Sequence, residues 1–296
     1  MSELVDKVLL REVHQRMKAV TGVARLPLGT GQWSGVSGSV LGQGTGSSVD
    51  FHDQRPYLPG DDPRHINWQA FARTGSYTMK LYRQEVTPRV DVLFDGSASM
   101  FLTETKARRS WELLFFCVES GLRLGASVKV WGMGSRGVEE WPMERLLAYE
   151  VKVEGVVKEK EDRARALMVS EARLRAGSLR VWISDLLFAE APAGLVAGLT
   201  RERGRGVVLV PTCVEEAHPD WTGNIEFDDC ERGWLDRRRV EGEVMDRYLK
   251  AYARHFALWR EECTRRGTSF ARVPSEGEFL SALRVEAMVA GAVLKG

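Results

Sequence analysis

Apolar residues recur along this chain with two periods, and the switch between helical and strand spacing organises it. Near the N-terminus Leu4, Val8, Leu9 and Met17 fall on roughly one helical face, which predicts a helix over residues 2–19. From Gly29 to Ser48 the pattern dissolves into glycine and serine, predicting a loop or irregular turns. β-favouring runs resume at Val49 to Arg55 and at Tyr77 to Arg83. Between them Asp62-Pro63 reads as a helix start, with a capping carboxylate and proline at the first helical position. Ile66, Trp68 and Phe71 follow before Gly75.

Beyond Pro88 strand and helix alternate. Short apolar runs predict strands at residues 90–94, 127–131, 179–185, 207–210 and 269–273, a short partner at 138–141 and a hairpin from Ile225 through Gly233 to Arg238. Ala107, Trp111, Leu114, Phe115, Val118 and Leu122 repeat at three-to-four spacing and predict a helix from Lys106 to Leu124. Further helices are predicted over 193–203, 241–264 and 276–294, and the charged stretch Lys158 to Arg165 reads as a solvated helix face. Strands separated by helices predict a doubly wound, mostly parallel sheet flanked by helices, an α/β fold with a β-rich N-terminal extension. Three segments result: residues 1–48 as helix and Gly/Ser-rich loop, 49–88 as a β-rich insertion, and 89–296 as the α/β domain.

Composition changes this picture little. With 296 residues, 44% hydrophobic and 28% charged, the chain can bury a sizeable core. Forty-two basic against forty-one acidic residues leave a formal charge of +1, so there is no global attraction to nucleic acid or an anionic membrane. Arg55, Arg64, Arg73, Lys80 and Arg83 interleave with Tyr57, Trp68, Tyr77 and Tyr82, which admits a nucleic-acid-binding module as one alternative. The simpler account has the arginines paired with Asp53, Asp61, Asp62 and Glu85, and the aromatic rings packed inward. Cys117, Cys213, Cys230 and Cys263 form no Cys-x-x-Cys motif, as in a reducing compartment. No membrane span and no signal peptide are expected, and a cytoplasmic location is.

The candidate chemistry lies where the strand at 90–94 runs into Asp95-Gly96-Ser97-Ala98-Ser99-Met100. A second apolar strand ends in Asp185. A parallel sheet brings both carboxylates to its carboxyl edge, where open α/β sheets bind their ligands. Asp95, Ser97, Ser99 and Asp185 together offer hard oxygen donors of the kind Mg²⁺ accepts. Spacing alone leaves an equal alternative, in which these side chains cap neighbouring helices and turns. A serine-hydrolase elbow is excluded, because Asp95 and Ser99 stand where glycines are required around Ser97. A phosphoaspartyl enzyme wants a second acid where Ser97 stands. A Mg²⁺-dependent phosphoester hydrolase using Asp95 is the remaining enzymatic alternative, although His14, His52, His65, His218 and His255 are scattered.

At Asp95-Gly96-Ser97-Ala98-Ser99 and Asp185 the chain resembles the metal-ion-dependent adhesion site of a von Willebrand factor A domain. The block from Arg55 through Tyr57, Pro59, Gly60, Asp61, Asp62, Arg64, Ile66 and Trp68, continuing through Arg73 and Gly75 to Lys80, resembles the signature of the bacterial domain of unknown function 58. That resemblance implies a sheet flanked by helices with the 49–86 insertion packed on it. It also implies a MoxR-type AAA+ ATPase and a client protein as partners, with the chain as a non-catalytic adaptor and not an enzyme. An adhesion-type site would further use a threonine ahead of the Asp185 strand. No threonine stands between Met133 and Ser170, where Ser135 or Ser170 are the substitutes.

Overall fold

The computed structural model describes residues 7–28, 35–36, 49–84, 87–134, 137–151, 153, 169–230 and 235–296. Leu4, most of the Gly/Ser-rich segment, the charged stretch Lys158 to Arg165, Ser135 and Gly233 lie outside the described residues. The chain divides into two compact units, residues 1–28 with 89–296, and residues 29–88.

Numbered in chain order, β1 (Ala24–Arg25) lies in the larger unit, β2 (Gly35–Val36), β3 (Val49–Pro56) and β4 (Thr78–Gln84) with helix α2 (Trp68–Thr74) belong to the smaller one, and β10 (Gly223–Asp228) pairs with β11 (Leu235–Val240) as a hairpin. The larger unit is built on a six-stranded sheet. Its strands are β5 (Arg89–Asp95), β6 (Ser127–Gly134), β7 (Gly137–Trp141), β8 (Leu179–Ile183), β9 (Arg205–Thr212) and β12 (Ser269–Pro274), in the order β12-β9-β8-β5-β6-β7. All neighbours pair parallel except β7, which runs antiparallel along the edge beside β6. β5 therefore lies inside the sheet, and every residue from Val90 to Asp95 is buried. Its side chains alternate as strand geometry demands. Val90, Val92 and Phe94 join one core cluster, and Leu93 joins the cluster on the opposite face.

Helices cover both faces. α1 (Lys7–Val20) and α3 (Glu104–Arg123) contribute to the first cluster. Pro192–Thr200 and the long helix Gly242–Arg265 contribute to the second, which includes Leu195, Val196, Leu199, Phe256 and Trp259. Each cluster is apolar and continuous with the sheet, so the sheet is sandwiched between two hydrophobic layers, as a parallel sheet requires.

Three expectations change in detail. The buried face of α1 is Leu10, Val13, His14 and Met17, while Val8 is exposed. A pattern read from apolar residues alone misses this face because His14, held between Tyr149 and Glu119, is one of its buried members. The predicted helix over 193–203 ends at Thr200 and tightens into a turn through Arg203. The terminal helix is only Phe279–Val285. Gly291 then adopts φ +66, which a right-handed helix cannot continue. The chain closes instead as a short strand, Leu294–Lys295, paired with Ala24–Arg25.

In the smaller unit, Gly35–Val36, Val49–Pro56 and Thr78–Gln84 form an antiparallel sheet with the Thr78 strand in the middle. Arg55 grips Asp61 with two bonds of 2.7 Å, and Arg64 pairs with Asp62, whose carboxylate also caps the turn at Pro63. These two arginines pair as the simpler sequence account has it, while the side chains of Lys80 and Arg83 lie outside the described residues. The aromatic residues do not all turn inward: Phe71 stacks on Tyr77 at 4.3 Å, yet Trp68 is 58% exposed and Tyr77 half-exposed. The side chains of Asp53, Tyr82 and Glu85 lie outside the described residues.

Candidate functional site at the carboxyl edge of the sheet

β5 ends at Asp95 and turns sharply. Gly96 donates its N–H to the Met133 carbonyl at 2.7 Å. A Cβ there would stand 2.9 Å from Val153 and 3.0 Å from the Met133 oxygen, so the close approach requires glycine. The Asp95 carboxylate then organises the turn. Its Oδ1 accepts the Ser97 N–H at 3.0 Å, and its Oδ2 accepts the Ser184 hydroxyl at 2.7 Å. Ser97 and Ser99 hydroxyls lie 3.2 Å apart, and both are half-buried. The chain continues as a tight turn, Ala98–Phe101, whose Met100 is fully buried and accepts the Asp185 N–H on its sulfur at 3.2 Å.

Asp185 sits just beyond β8 and is buried. Its Oδ1 accepts the Leu187 N–H at 3.1 Å, and the Ser99 hydroxyl also bonds its carboxylate. The four residues singled out by the sequence are therefore joined into one hydrogen-bonded cluster: Asp95 holds Ser97, Ser97 meets Ser99, and Ser99 meets Asp185.

Sequence reasoning missed the cation in the middle of it. Thr103 caps α3 by accepting the Lys106 N–H, and this places Lys106 in the first helical turn. The Lys106 ammonium is 1% exposed, donates to Asp185 Oδ2 at 2.8 Å and donates to Glu216 Oε1 at 2.5 Å. Glu216 belongs to the short helix Val214–Ala217 after β9, and its other oxygen accepts the Cys213 N–H at 3.1 Å. A lysine in the first turn faces the positive end of the helix dipole. That misfit was the signal available in the sequence, because such a lysine needs a specific anionic partner.

The energetics of this pair are decided by charge and not by burial. Burial alone would lower the Lys106 pKa, but the charges and hydrogen bonds of Asp185 and Glu216 outweigh it and raise the group above its ordinary value. Burial alone would raise the Asp185 carboxyl, but Lys106, the Leu187 N–H and Ser99 hold it below the usual carboxylate range. One turn along the same helix the balance is reversed. Arg109 and Glu112 approach to 3.1 Å, yet burial lowers Arg109 and raises Glu112 despite the attraction between them.

The donor set suits a divalent cation only in part. The hydroxyls of Ser97 and Ser99 and the oxygens of Asp95 are the hard donors Mg²⁺ takes. The Asp185 carboxylate, however, already holds an ammonium at 2.8 Å. Like unit charges 4 Å apart repel by about 4 kcal/mol at an effective dielectric of about 20, and a divalent ion doubles that. An ion shared by Asp95 and Asp185 does not fit beside Lys106. Of the two serines that could stand in for the threonine, Ser135 lies outside the described residues and Ser170 stands in a helical turn at 169–171.

A different group of ligand-bearing side chains stands nearby. The ligand atoms of Cys213, Glu215 and Glu276 all lie within 4.8 Å of one another. Glu276 accepts the Val214 N–H at 3.0 Å, and burial pushes the Cys213 thiol up, so both act as structural groups here. His14 bonds Tyr149 and Glu119, and His255 lies 2.8 Å from the Leu186 carbonyl, so these two histidines are engaged elsewhere. Among the described residues no helix is long and apolar enough to cross a membrane.

No curated protein and no solved structure matches the chain significantly. A family model described as protein of unknown function DUF58 matches residues 53–257, well over half of the sequence. The match spans the Arg55–Asp61 clamp, the Asp95 turn, Lys106, Asp185 and Glu216, and on that span the chain belongs to the DUF58 family.

Proposed function

We propose that this chain is a non-catalytic, cytoplasmic interaction module with a von Willebrand factor A-like main unit, and that it works with a MoxR-type AAA+ ATPase on a client protein. The observation that carries this reading is the rim of the carboxyl edge. Three successive strand-end loops each present an exposed aliphatic side chain: Leu102 after β5 (65% exposed), Leu187 after β8 (38%) and Val214 after β9 (54%). Leu102 precedes Thr103, which caps Lys106; Leu187 donates its N–H to Asp185; and Val214 follows Cys213, whose N–H goes to Glu216. Exposed apolar groups gathered around a polar centre suit protein contact. The central groups also bond one another, Asp95 to Ser184 and Asp185 to Lys106, in place of a nucleophile aligned with a base. The A-like assignment is supported by the strand order with one antiparallel edge strand and by the Asp-x-Ser-x-Ser turn at the end of an inner strand.

Affinity purification of the full chain from its native cells, with identification of retained proteins, tests this. A AAA+ ATPase is expected with wild type, and its recovery is expected to drop at least tenfold in a Leu102→Asp/Val214→Asp variant that keeps the wild-type melting temperature. Equal recovery by both proteins, or no ATPase with either, sinks the proposal.

A further inference from the structure

We propose that the Lys106 ammonium is a tethered cation that does at Asp185 what a divalent metal ion would do, so that the carboxyl edge is complete without metal. Three elements converge on it. α3 carries the lysine, the loop after β8 carries Asp185, and the short helix after β9 carries Glu216. A bound ion at this edge would have to draw the same strand ends together and neutralise the same carboxylates. Lys106 does both from within the chain, at 2.8 and 2.5 Å, with its side chain 1% exposed. The neighbouring turn is also set without an ion, since Asp95 is held by the Ser97 N–H and the Ser184 hydroxyl. A fixed ammonium differs from a metal in one respect that matters for function: it cannot be removed by a chelator or varied by ion supply.

Removing the ammonium leaves Asp185 and Glu216 without it, beside the hydroxyls of Ser99 and Ser97 and the Asp95 turn. That is a hard-oxygen set with a vacant positive charge. A Lys106→Met variant keeps the chain length and removes the charge, and it should acquire a divalent site that wild type lacks. The idea deepens the reading of this edge as the interaction site. Its readouts use the isolated chain, so failure to find an ATPase partner would sink that reading and leave this one standing.

Mn²⁺ binding to full-length wild type and Lys106→Met, measured by electron paramagnetic resonance and titration calorimetry, provides the test. Wild type is expected to bind no Mn²⁺ stoichiometrically. The variant is expected to bind about one ion per chain, and to lose it when Asp95→Ala is added. Stoichiometric Mn²⁺ on wild type that disappears in Asp95→Ala overturns the proposal, as does a folded Lys106→Met protein that binds none. If the variant folds only with Mn²⁺ present, that rescue supports it. If it does not fold at all, ¹⁵N-lysine spectra of wild type decide: a slowly exchanging Lys106 ammonium signal indifferent to millimolar Mg²⁺ supports the tethered cation, and displacement of that signal by Mg²⁺ refutes it.

Discussion

At the amino end of the central sheet Asp91 receives the N–H and the guanidinium Nε of a single residue, Arg175, at 2.8 and 2.7 Å. The same guanidinium goes on to the carbonyls of Val90 and Ser127 and the Ser127 hydroxyl, so most of its donors serve one carboxylate and its surroundings. Four residues further along the same strand, at the carboxyl end, the account is different. There one ammonium serves two carboxylates, Asp185 and Glu216, while Asp95 relies on a backbone N–H and a serine hydroxyl. At the amino end the guanidiniums outnumber the carboxylate: Arg175 bonds Asp91, and the buried Arg180, which also feels the Asp91 charge, donates to backbone carbonyls, so this end reads as structural. At the carboxyl end acceptors outnumber cationic donors, and the surrounding loops expose Leu102, Leu187 and Val214. An edge whose charged groups are taken up by carboxylate and carbonyls inside the fold has little left to offer a partner, whereas an edge with surplus acceptors and an apolar rim does.

Removing one partner at each end of the sheet tests the difference most directly. Lys106→Ala leaves two carboxylates facing each other, one of them fully enclosed, and its cost should lie at the top of the range for a broken buried pair, about 4–5 kcal/mol. Asp91→Ala leaves a guanidinium whose side chain is 18% exposed and still bonded to carbonyls, so its cost should be nearer 3 kcal/mol, roughly the lower end of that range. Urea unfolding of the two variants gives the order directly, and a reversed order would mean that Arg175 is the more demanding charge.

A smaller effect follows from pH. The Asp185 carboxyl titrates below its unfolded value of about 3.9, so its stabilising contribution is present above that pH and disappears as pH falls through the folded value. Lys106 titrates above its unfolded value of about 10.4, so its contribution is present below that pH and disappears only as pH rises through the folded value. The stability gap between wild type and Asp185→Asn should therefore be flat through neutral pH and shrink at the acid end. A gap that grows on acidification would contradict the depressed carboxyl.

The smallest expected effect is at the cap that positions the lysine. Thr103→Ala removes the hydroxyl that receives the Lys106 N–H and should cost about 1 kcal/mol in thermal or urea unfolding. A cost several times larger would show that Thr103 holds the edge together by more than capping, for example through its contact with Cys213 at 3.6 Å.

Much of the scaffold was legible from local chemistry. The runs at 90–94, 179–183 and 207–210 are largely apolar, broken only by Asp91 and Arg180, because parallel strands are covered on both faces, and each lies in a buried strand of the sheet. The three-to-four spacing of α3 was equally plain, and so was the pairing of Arg55 and Arg64 with nearby acids. The terminal helix was overextended, because helix propensity across 286–294 competes with a strand pairing to Ala24–Arg25 that no local pattern announces. The face of α1 was misplaced for a similar reason: His14 is buried only because Glu119 and Tyr149 come to meet it from elsewhere in the chain.

The same division runs through the candidate site. The two strand-end carboxylates and the serines beside one of them are local features, since an apolar strand that stops at an aspartate is readable without any neighbour. Which charge meets them is settled by folding. Lys106 lies 79 residues from Asp185 and 110 from Glu216, and a charge pair of that kind is created when the sheet and its helices pack. Electrostatic partners depend on distance in space and on the loss of water around them, and neither is written in spacing along the chain.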